Sequence, residues 1–144
     1  MNRNNNFAII GASYLQLPLI KKAKDMGYVT HVFAWAANDV GEIEADYFYP
    51  ISIIEKEIIL EKCKEIGICG ICSIASDLAM LTVNYVAQSM HLVSNSLKAT
   101  ELSTNKHLMR QCFETNGDPS PKSVLVSKKE NFDISEMKYP LIVK

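Results

Sequence analysis

The alternation of short apolar runs with amphipathic stretches is the feature that most constrains the fold of this chain. The apolar residues 7–10 end at a glycine, residues 12–26 carry apolar side chains at helical spacing, and residues 28–34 form a second apolar run. Pro18 fits only the first turn of a helix, so we expect the helix to begin near Gln16. A strand, a glycine turn, a helix and a second strand within about 30 residues make a βαβ unit with parallel strands.

The same alternation continues as far as residue 93. Strands are predicted at residues 46–51, 68–74 and 91–93, helices at residues 52–66 and 78–90, and a polar loop at residues 35–45. Ser52 and Glu55 have the spacing of a capping box, which favours a helix start there. Strands that alternate with helices of about 10–15 residues indicate an α/β fold with a Rossmann-like doubly wound parallel sheet. Small polar residues at 94–104 predict a hinge after this layer.

Composition sets limits on function. The 144 residues suit one domain with a core of its own, and the net charge of −1 gives no electrostatic case for binding nucleic acid or an anionic membrane. No apolar run reaches the roughly 18 residues that cross a bilayer, and residues 1–6 lack the apolar core of a signal peptide. We therefore expect a cytoplasmic protein with no nucleic-acid or membrane partner.

The four cysteines include a pair, Cys69 and Cys72, at a spacing that occurs in zinc and redox sites. The pair lies in the predicted strand at residues 68–74, where side chains three positions apart point to opposite faces. Two such cysteines cannot share a metal ion in a regular strand. We therefore expect reduced thiols in the core of a cytoplasmic protein.

Small polar residues follow two of the predicted strands. Gly11, Ala12 and Ser13 follow the first strand, and Ser76 and Asp77 follow the fourth. Ligands of open α/β sheets gather at the carboxyl ends of the strands, so all of these residues are candidate substrate contacts. The simpler alternatives are a tight strand-to-helix turn at Gly11 and an ordinary helix cap at Ser76. A dinucleotide-binding fingerprint is not supported, because GASYLQ has one glycine where the fingerprint has three.

The last third of the chain carries two lysines in unusual positions. Ser103 or Thr104 is the expected cap of a helix that has Lys106 in its first turn. The helix dipole disfavours a cation there by about 0.3–1 kcal/mol, and a bound phosphate would reverse the sign. Lys144 follows an apolar run at residues 139–143, and it either marks the solvent end of a strand or reaches a ligand. A solvated side chain is the plain alternative for both lysines.

Three segments together resemble the ATP-grasp superfamily, in particular the carbamoyl-phosphate synthase large-subunit-like and biotin-carboxylase-like ligases. FAIIGASYLQLPLIKKAKDMG at residues 7–27 is similar to the opening of their pre-ATP-grasp domain, STNKHLMRQCFETNGDPSP at 103–121 to their lead-in helix and turn, and YPLIVK at 139–144 to the first strand of their ATP-binding domain. The resemblance implies a pre-ATP-grasp α/β domain at residues 1–102. It also implies that residues 103–144 are the lead-in helix and first strands of an ATP-grasp domain truncated at its start.

The resemblance further implies a chemistry. Lys106 and Lys144 match residues that reach the nucleotide phosphates from two sides, and ATP and Mg²⁺ would both be needed. The glycine-rich flap, the adenine-binding segment and the metal ligands would lie beyond residue 144. A carboxylate attacks the γ-phosphate of ATP to give an acyl phosphate, and an amine or another nucleophile then displaces phosphate. Residues 11–13 with Ser76 and Asp77 would form one wall of the substrate site, and the fragment alone would be inactive.

The alternative is a stand-alone ligand-binding or regulatory module without catalysis. A glycine-rich loop and an acidic metal-binding segment encoded after Lys144 would favour the ligase, and a stop codon there would favour the module. The ligase would have a small-molecule carboxylate and a nucleotide as its ligands. Residues 124–127 and 141–144 are predicted strands with open edges, which would favour pairing between copies of the chain in a homo-oligomer.

Overall fold

A computed structural model describes residues 4–126 and 137–143. The chain forms two compact units, Met1–Thr100 and Glu101–Lys144. The first unit contains, in chain order, β1 (Asn6–Ile10), α1 (Leu17–Asp25), β2 (Val29–Phe33), α2 (Val40–Glu44), β3 (Tyr47–Tyr49), α3 (Lys56–Ile66), β4 (Gly70–Cys72) and α4 (Asp77–Ser89). Helix α5 (Leu97–Thr104) contains the division, and α6 (Lys106–Asn116) belongs to the second unit. The domain boundary at residue 102 stays a prediction.

The strands of the first unit form one parallel sheet in the order β3-β2-β1-β4. Strand β1 is central and pairs with β2 on one side and with β4 on the other. Its side chains alternate between the two faces, so Ile9 points to one core and Ala8 and Ile10 point to the other. Helices cover both faces. The predicted α/β fold with a doubly wound parallel sheet is therefore confirmed.

Each face of the sheet has its own apolar core. On one face Ile9 and Val32 pack with Ile20 and Ala23 of α1. The larger core, on the other face, consists of Ala8, Ile10, Phe33, Ile59, Leu60, Cys63, Ile68, Ile71, Ala79, Val83, Val86 and Ala87. Removal of these apolar side chains from water is the main source of stability for such a layer. Among the described residues, no helix is long and apolar enough to cross a membrane.

All four cysteines are free thiols, but they do not share one environment. Cys63 is buried in the larger core, and its burial raises the pKa of the thiol to about 12. Cys69 is exposed because β4 begins one residue later, and Cys72 and Cys112 are partly buried. The expectation of core thiols is therefore correct for Cys63 and wrong for Cys69. Within residues 4–126 and 137–143, no group of three His, Cys, Asp or Glu side chains could hold a metal ion.

His31 is a buried residue of β2 whose hydrogen bonds fix its tautomer. Its Nδ1 lies 3.0 Å from the Tyr49 hydroxyl, and its Nε2 lies 3.3 Å from Asn6 Oδ1. The Asn6 amide is oriented by its Nδ2, which donates to the Ile66 carbonyl at 3.1 Å. Because Asn6 Oδ1 only accepts, Nε2 carries the ring proton and Nδ1 accepts from the Tyr49 hydroxyl. A second proton on Nδ1 would require the Tyr49 hydroxyl to turn and accept instead.

The stability of the first unit is expected to rise with pH as His31 becomes neutral. Burial lowers the pKa of His31, and the negative charge of Asp46 opposes this only in part. Below the ordinary histidine pKa of about 6.5, the unfolded chain then binds more protons than the folded chain. We expect the free energy of unfolding in urea to rise between about pH 5 and 7, and His31→Gln to flatten that rise. Equal slopes in the two proteins would contradict this assignment.

The predicted loop at residues 35–45 contains the short helix α2, which is a correction. Glu42 Oε1 accepts from the backbone N–H groups of Ala37 (2.7 Å) and Asp39 (3.0 Å), and Asp39 is the helix N-cap of a capping box. These backbone hydrogen bonds hold the pKa of Glu42 below its usual range. Local carboxylate caps therefore make a helix from a segment that has no apolar periodicity.

Two boundaries differ from the prediction for local reasons. Helix α3 begins at Lys56, because Ser52 and Glu55 close a turn in front of it. The Glu55 N–H donates to the Ser52 carbonyl at 2.9 Å, and the Ser52 N–H donates to Glu55 Oε2 at 3.0 Å. Strands β3 and β4 are three residues long, shorter than the predicted ranges, because only those residues pair with a neighbouring strand.

The strand predicted at residues 91–93 is not formed. His91 has a φ of +55°, and the Leu92 N–H donates to the Ala87 carbonyl at 2.8 Å, so this segment closes the end of α4. The predicted hinge at 94–104 contains helix α5 and the division between the two units, and its role as a hinge stays a prediction. Thr100 of α5 is buried, and its Oγ1 accepts from Asn84 Nδ2 at 2.5 Å.

The second unit has no strand among its described residues. Residues 124–126 and 141–143 lack strand pairing, and a β-strand requires a hydrogen-bonded neighbour. The predicted strands are therefore wrong at these positions. Residues 127 and 144 of the predicted strands lie outside the described residues, and the homo-oligomer stays a prediction.

The cap of α6 also differs from the prediction. Asn105 Oδ1 accepts from the N–H groups of His107 (3.1 Å) and Leu108 (3.2 Å). Ser103 and Thr104 cannot take this position, because they form the last turn of α5. Helix α6 nevertheless begins at Lys106, so the prediction that this lysine lies in the first turn is confirmed.

Candidate functional site

The carboxyl ends of β1 and β4 bring the predicted site loops to one edge of the sheet. These strands are parallel neighbours, so residues 11–13 and residues 73–77 leave the sheet side by side. We call these two segments the edge loops. The Ser73 hydroxyl donates to the Ile10 carbonyl at 2.6 Å and ties the two strand ends together.

A buried glutamine connects the edge loops. Gln16 is only 4% exposed. Its Oε1 accepts from the Ser13 N–H (3.2 Å) and from the Ser13 hydroxyl (2.7 Å), while its Nε2 donates to the Ile74 carbonyl (2.7 Å). The sequence analysis missed this residue as part of the site. The signal that was present is the Ser13-x-x-Gln16 spacing of a capping box.

Two glycines allow the first edge loop its close packing. Gly11 has a φ of +101°, and a Cβ there would lie 2.9 Å from Gln16 Cδ. Gly41 of α2 donates its N–H to the Ala12 carbonyl at 2.9 Å, and a Cβ at Gly41 would lie 2.3 Å from that same oxygen. Glycine is thus required at position 11 by the backbone conformation and by the lack of room for a Cβ. The second reason adds to the tight turn expected from the sequence. Gly41 is a second residue that the sequence analysis missed.

The other predicted contacts have identifiable structural roles at this edge. Ser76 Oγ accepts from the Ala79 N–H at 3.2 Å and caps α4, as predicted. Asp77 is exposed in the first turn of α4, where the helix dipole favours a carboxylate. The structure therefore brings Gly11, Ala12, Ser13, Ser76 and Asp77 to one edge of the sheet. Their contact with a substrate stays a prediction.

The edge loops contain few reactive side chains. They contain one carboxylate, Asp77, and no histidine, cysteine or lysine. A serine nucleophile needs a base beside its hydroxyl, and the Ser13 hydroxyl donates to an amide oxygen instead. An exposed aromatic ring adjoins the first loop, since Tyr14 follows it directly and is 73% exposed.

Lys106 belongs to the second unit, and its environment weakens the electrostatic argument for a phosphate. The side chain is exposed, and its Nζ donates to the Ser103 carbonyl at 3.2 Å. Ser103 lies in the last turn of α5, where the helix dipole favours a cation. The favourable interaction of the Lys106 ammonium group with the carboxyl end of α5 therefore offsets its unfavourable interaction with the amino end of α6. Lys144, the second predicted phosphate ligand, lies outside the described residues.

No protein-family model and no curated protein matches the chain. Solved structures do match it. A phosphoribosylglycinamide synthetase from Anaerococcus prevotii is 23% identical over 79% of this chain and 29% of its own, with a TM-score of 0.68. An L-amino acid ligase from Bacillus licheniformis is 22% identical over 84% of this chain and 32% of its own, also with a TM-score of 0.68.

A third match comes from a complex with nucleotide. The biotin carboxylase domain of Hydrogenobacter thermophilus 2-oxoglutarate carboxylase, solved with MgADP, ADP and bicarbonate, is 18% identical over 83% of this chain and 29% of its own, with a TM-score of 0.67. The chain thus spans about a third of the length of these three structures, in their N-terminal parts. The fold is that of the N-terminal domain of ATP-grasp ligases, as the sequence resemblance implied.

Proposed function

We propose that this chain is the N-terminal domain of an ATP-dependent carboxylate ligase of the ATP-grasp superfamily. The observation that carries the proposal is the fold, which the chain shares with a synthetase, an amino acid ligase and a biotin carboxylase domain. The similarity of residues 7–27, 103–121 and 139–144 to this superfamily points to the same conclusion. In the proposed reaction, ATP and a carboxylate give an acyl phosphate and ADP. An amine or another nucleophile then attacks the acyl carbon and releases phosphate.

In this proposal the first unit binds and orients the carboxylate substrate. The edge loops are rigid, since Gln16 and the Ser73–Ile10 hydrogen bond fix their backbones. Small residues at Gly11, Ala12 and Ser13 let a ligand approach the main chain closely. Catalysis by these residues would consist of positioning, because they supply no nucleophile and base of their own.

Lys106 and Lys144 would contact the nucleotide phosphates in the proposed ligase. An exposed ammonium group in the first turn of a helix can bind an anion there, and Lys106 has three N–H donors, of which the Ser103 carbonyl accepts from one. The residues that the structure describes do not fit a Mg²⁺ site, because no three acidic or other metal-binding side chains converge among them. We therefore assign no residue of this chain to the metal.

The test is calorimetric titration of the complete gene product with MgATP. Lys106→Ala and Lys144→Ala are each expected to weaken binding about tenfold or more, since each removes a charge-assisted hydrogen bond to phosphate. Lys98→Ala is the matched control, because Lys98 is an exposed lysine of the neighbouring helix α5, and its removal should leave the affinity unchanged. Equal affinities in all four proteins would remove both lysines from the site.

A stand-alone binding module is the second candidate. It is favoured by the Lys106–Ser103 contact, which gives that lysine a structural role without a nucleotide. The coding sequence separates the two candidates. We expect it to continue after Lys144 into a glycine-rich loop and an acidic segment, and we expect the fragment alone to release no phosphate from ATP with any carboxylate. A stop codon directly after Lys144 would favour the module.

A further inference from the structure

We propose that Gln16 is a positioning residue that couples the two edge loops, so that a change at one loop is transmitted to the other. Its importance for a substrate rests on the proposed function, but the coupling itself does not. The coupling follows from three features of this residue. These are its hydrogen bonds to both edge loops, its close packing beside Gly11, and the backbone conformation that it supports after Ile74.

The first feature is that the Gln16 amide is buried and has a hydrogen-bond partner at each end. The contacting atom of Ile74 is its carbonyl oxygen, which only accepts, so the NH₂ group faces the second edge loop and the amide oxygen faces Ser13. Loss of the partner at either end would leave the buried oxygen or the buried NH₂ group unsatisfied, at a large cost in free energy. The side chain therefore holds the two loops at one separation.

The second feature is contact with the first loop through packing. The Gln16 side chain lies so close to Gly11 that a Cβ there would be 2.9–3.1 Å from its Cδ, Oε1 and Cγ atoms. Gly11 in turn donates its N–H to the Phe33 carbonyl at 2.8 Å, which anchors the loop to β2. Gln16 is thus packed against a loop whose other side is fixed to the sheet.

The third feature is the path of the second loop. Ala75 has a φ of +56°, a left-handed conformation that a residue with a Cβ adopts only when its surroundings require it. The Gln16–Ile74 hydrogen bond fixes the chain on one side of Ala75, and the Ser76 cap of α4 fixes it on the other. Loss of the first bond should therefore loosen the Ser76 cap, although Gln16 does not touch it.

The experiment measures amide hydrogen exchange by NMR on the 144-residue chain without any ligand. Two backbone amides serve as reporters. The Ser13 N–H donates directly to Gln16 Oε1, and the Ala79 N–H donates to Ser76 Oγ and so reports on the cap of α4. In Gln16→Met, which keeps the length and removes the hydrogen bonds, both amides are expected to exchange about tenfold faster. Acceleration of Ser13 alone would show a local cap and would overturn the coupling.

The control is Thr30→Val, which removes a buried hydrogen bond at the amino end of the sheet. Thr30 is fully buried, and its hydroxyl donates to Asp46 Oδ2 at 2.8 Å. This substitution should lower global stability while leaving local opening at Ser13 and Ala79 as in the wild type. If Thr30→Val accelerates both reporters as much as Gln16→Met does, the effect is general destabilisation and the proposal fails.

Gln16→Glu provides a rescue that a merely structural role would not show. The protonated carboxyl group can still donate to the Ile74 carbonyl and accept from Ser13, whereas the ionised group loses the donor and repels that carbonyl. Ser13 and Ala79 should therefore be protected at low pH and should lose protection together when the pH is raised, after correction for intrinsic exchange. Exchange that does not depend on the ionisation of Glu at this position would overturn the proposal, even if Gln16→Met does not fold.

The test of the coupling by Gln16 and the test of the ligase proposal can have different outcomes. If the complete gene product does not bind MgATP but Ser13 and Ala79 loosen together, the ligase proposal fails and the positioning role of Gln16 stands. If MgATP binds and the two amides respond independently, the ligase proposal stands and the coupling is wrong.

Discussion

Gly41→Ala is expected to destabilise the first unit by about 1–3 kcal/mol, as overpacking does. The same substitution in an ordinary helix stabilises by roughly 0.5–1 kcal/mol, so the expected effect has the opposite sign. A Cβ at Gly41 would lie 2.3 Å from the Ala12 oxygen and 2.8 Å from the Ala12 carbonyl carbon. Both are backbone atoms and cannot rotate away. Relief of the clash would also lengthen the bond from the Gly41 N–H to Ala12. Urea unfolding followed by circular dichroism measures the change.

Val40→Ala is the matched control in the same helix. Val40 is 45% exposed, so its truncation should change the free energy of unfolding by no more than about 0.5 kcal/mol. If Gly41→Ala is as stable as the wild type, α2 cannot be packed against the first edge loop as described. The same outcome would remove the argument that α2 holds Ala12 in place.

The sequence alone was sufficient to predict the helices and strands that have a clear apolar pattern. Strands β1 and β2 are short segments rich in apolar and β-branched residues, and α4 combines a serine cap with buried positions at helical spacing. Helix α2 has five residues and α5 buries only Thr100, so neither has an apolar stripe that could reveal it. The run at residues 91–93 has the composition of a strand, but Leu92 packs against the larger core from the end of α4.

The candidate site was predictable in its position but not in its internal bonds. Parallel strands put residues 11–13 and 73–77 at one edge, and that followed from topology alone. The partner of Gln16 is the carbonyl of Ile74, which lies 58 positions away in the sequence. A single sequence carries no signal for such a pair. The Ala12 carbonyl and Gly41 are a second example, because the contact depends on the unpredicted helix α2.

Helix α5, which the sequence analysis did not predict, changes the electrostatic argument for an anion at Lys106. With α6 considered alone, a lysine in its first turn is disfavoured and suggests a bound anion. Helix α5 ends just before α6, and its Ser103 carbonyl accepts from the Lys106 ammonium group. The charge therefore has a favourable neighbour within the protein. A role in nucleotide binding now depends on the affinity measurements with Lys106→Ala and on the fold of the first unit.

The largest loss of stability is expected for Phe33→Ala, at about 3–5 kcal/mol. Phe33 is fully buried at the end of β2, and its ring stacks on Tyr49 with a centroid separation of 4.8 Å. Truncation would leave a cavity in the larger core and remove the stacking partner of Tyr49. A small domain has about 5–15 kcal/mol of stability in total, so the variant should unfold at a much lower urea concentration. Thermal melts should show a fall of about 4–8 °C per kcal/mol.

Two control variants show whether burial causes the loss. Phe33→Leu preserves most of the apolar volume and should cost less than about 1.5 kcal/mol. Trp35→Ala removes a larger ring two residues further along the chain. Because Trp35 is 73% exposed, the loss of unfolding free energy should be about 0.5 kcal/mol. A ranking in which Trp35→Ala costs as much as Phe33→Ala would mean that the exposed ring is covered in the folded protein. The carboxyl edge of the sheet would then be a packed interface, and the open binding surface proposed for it would be wrong.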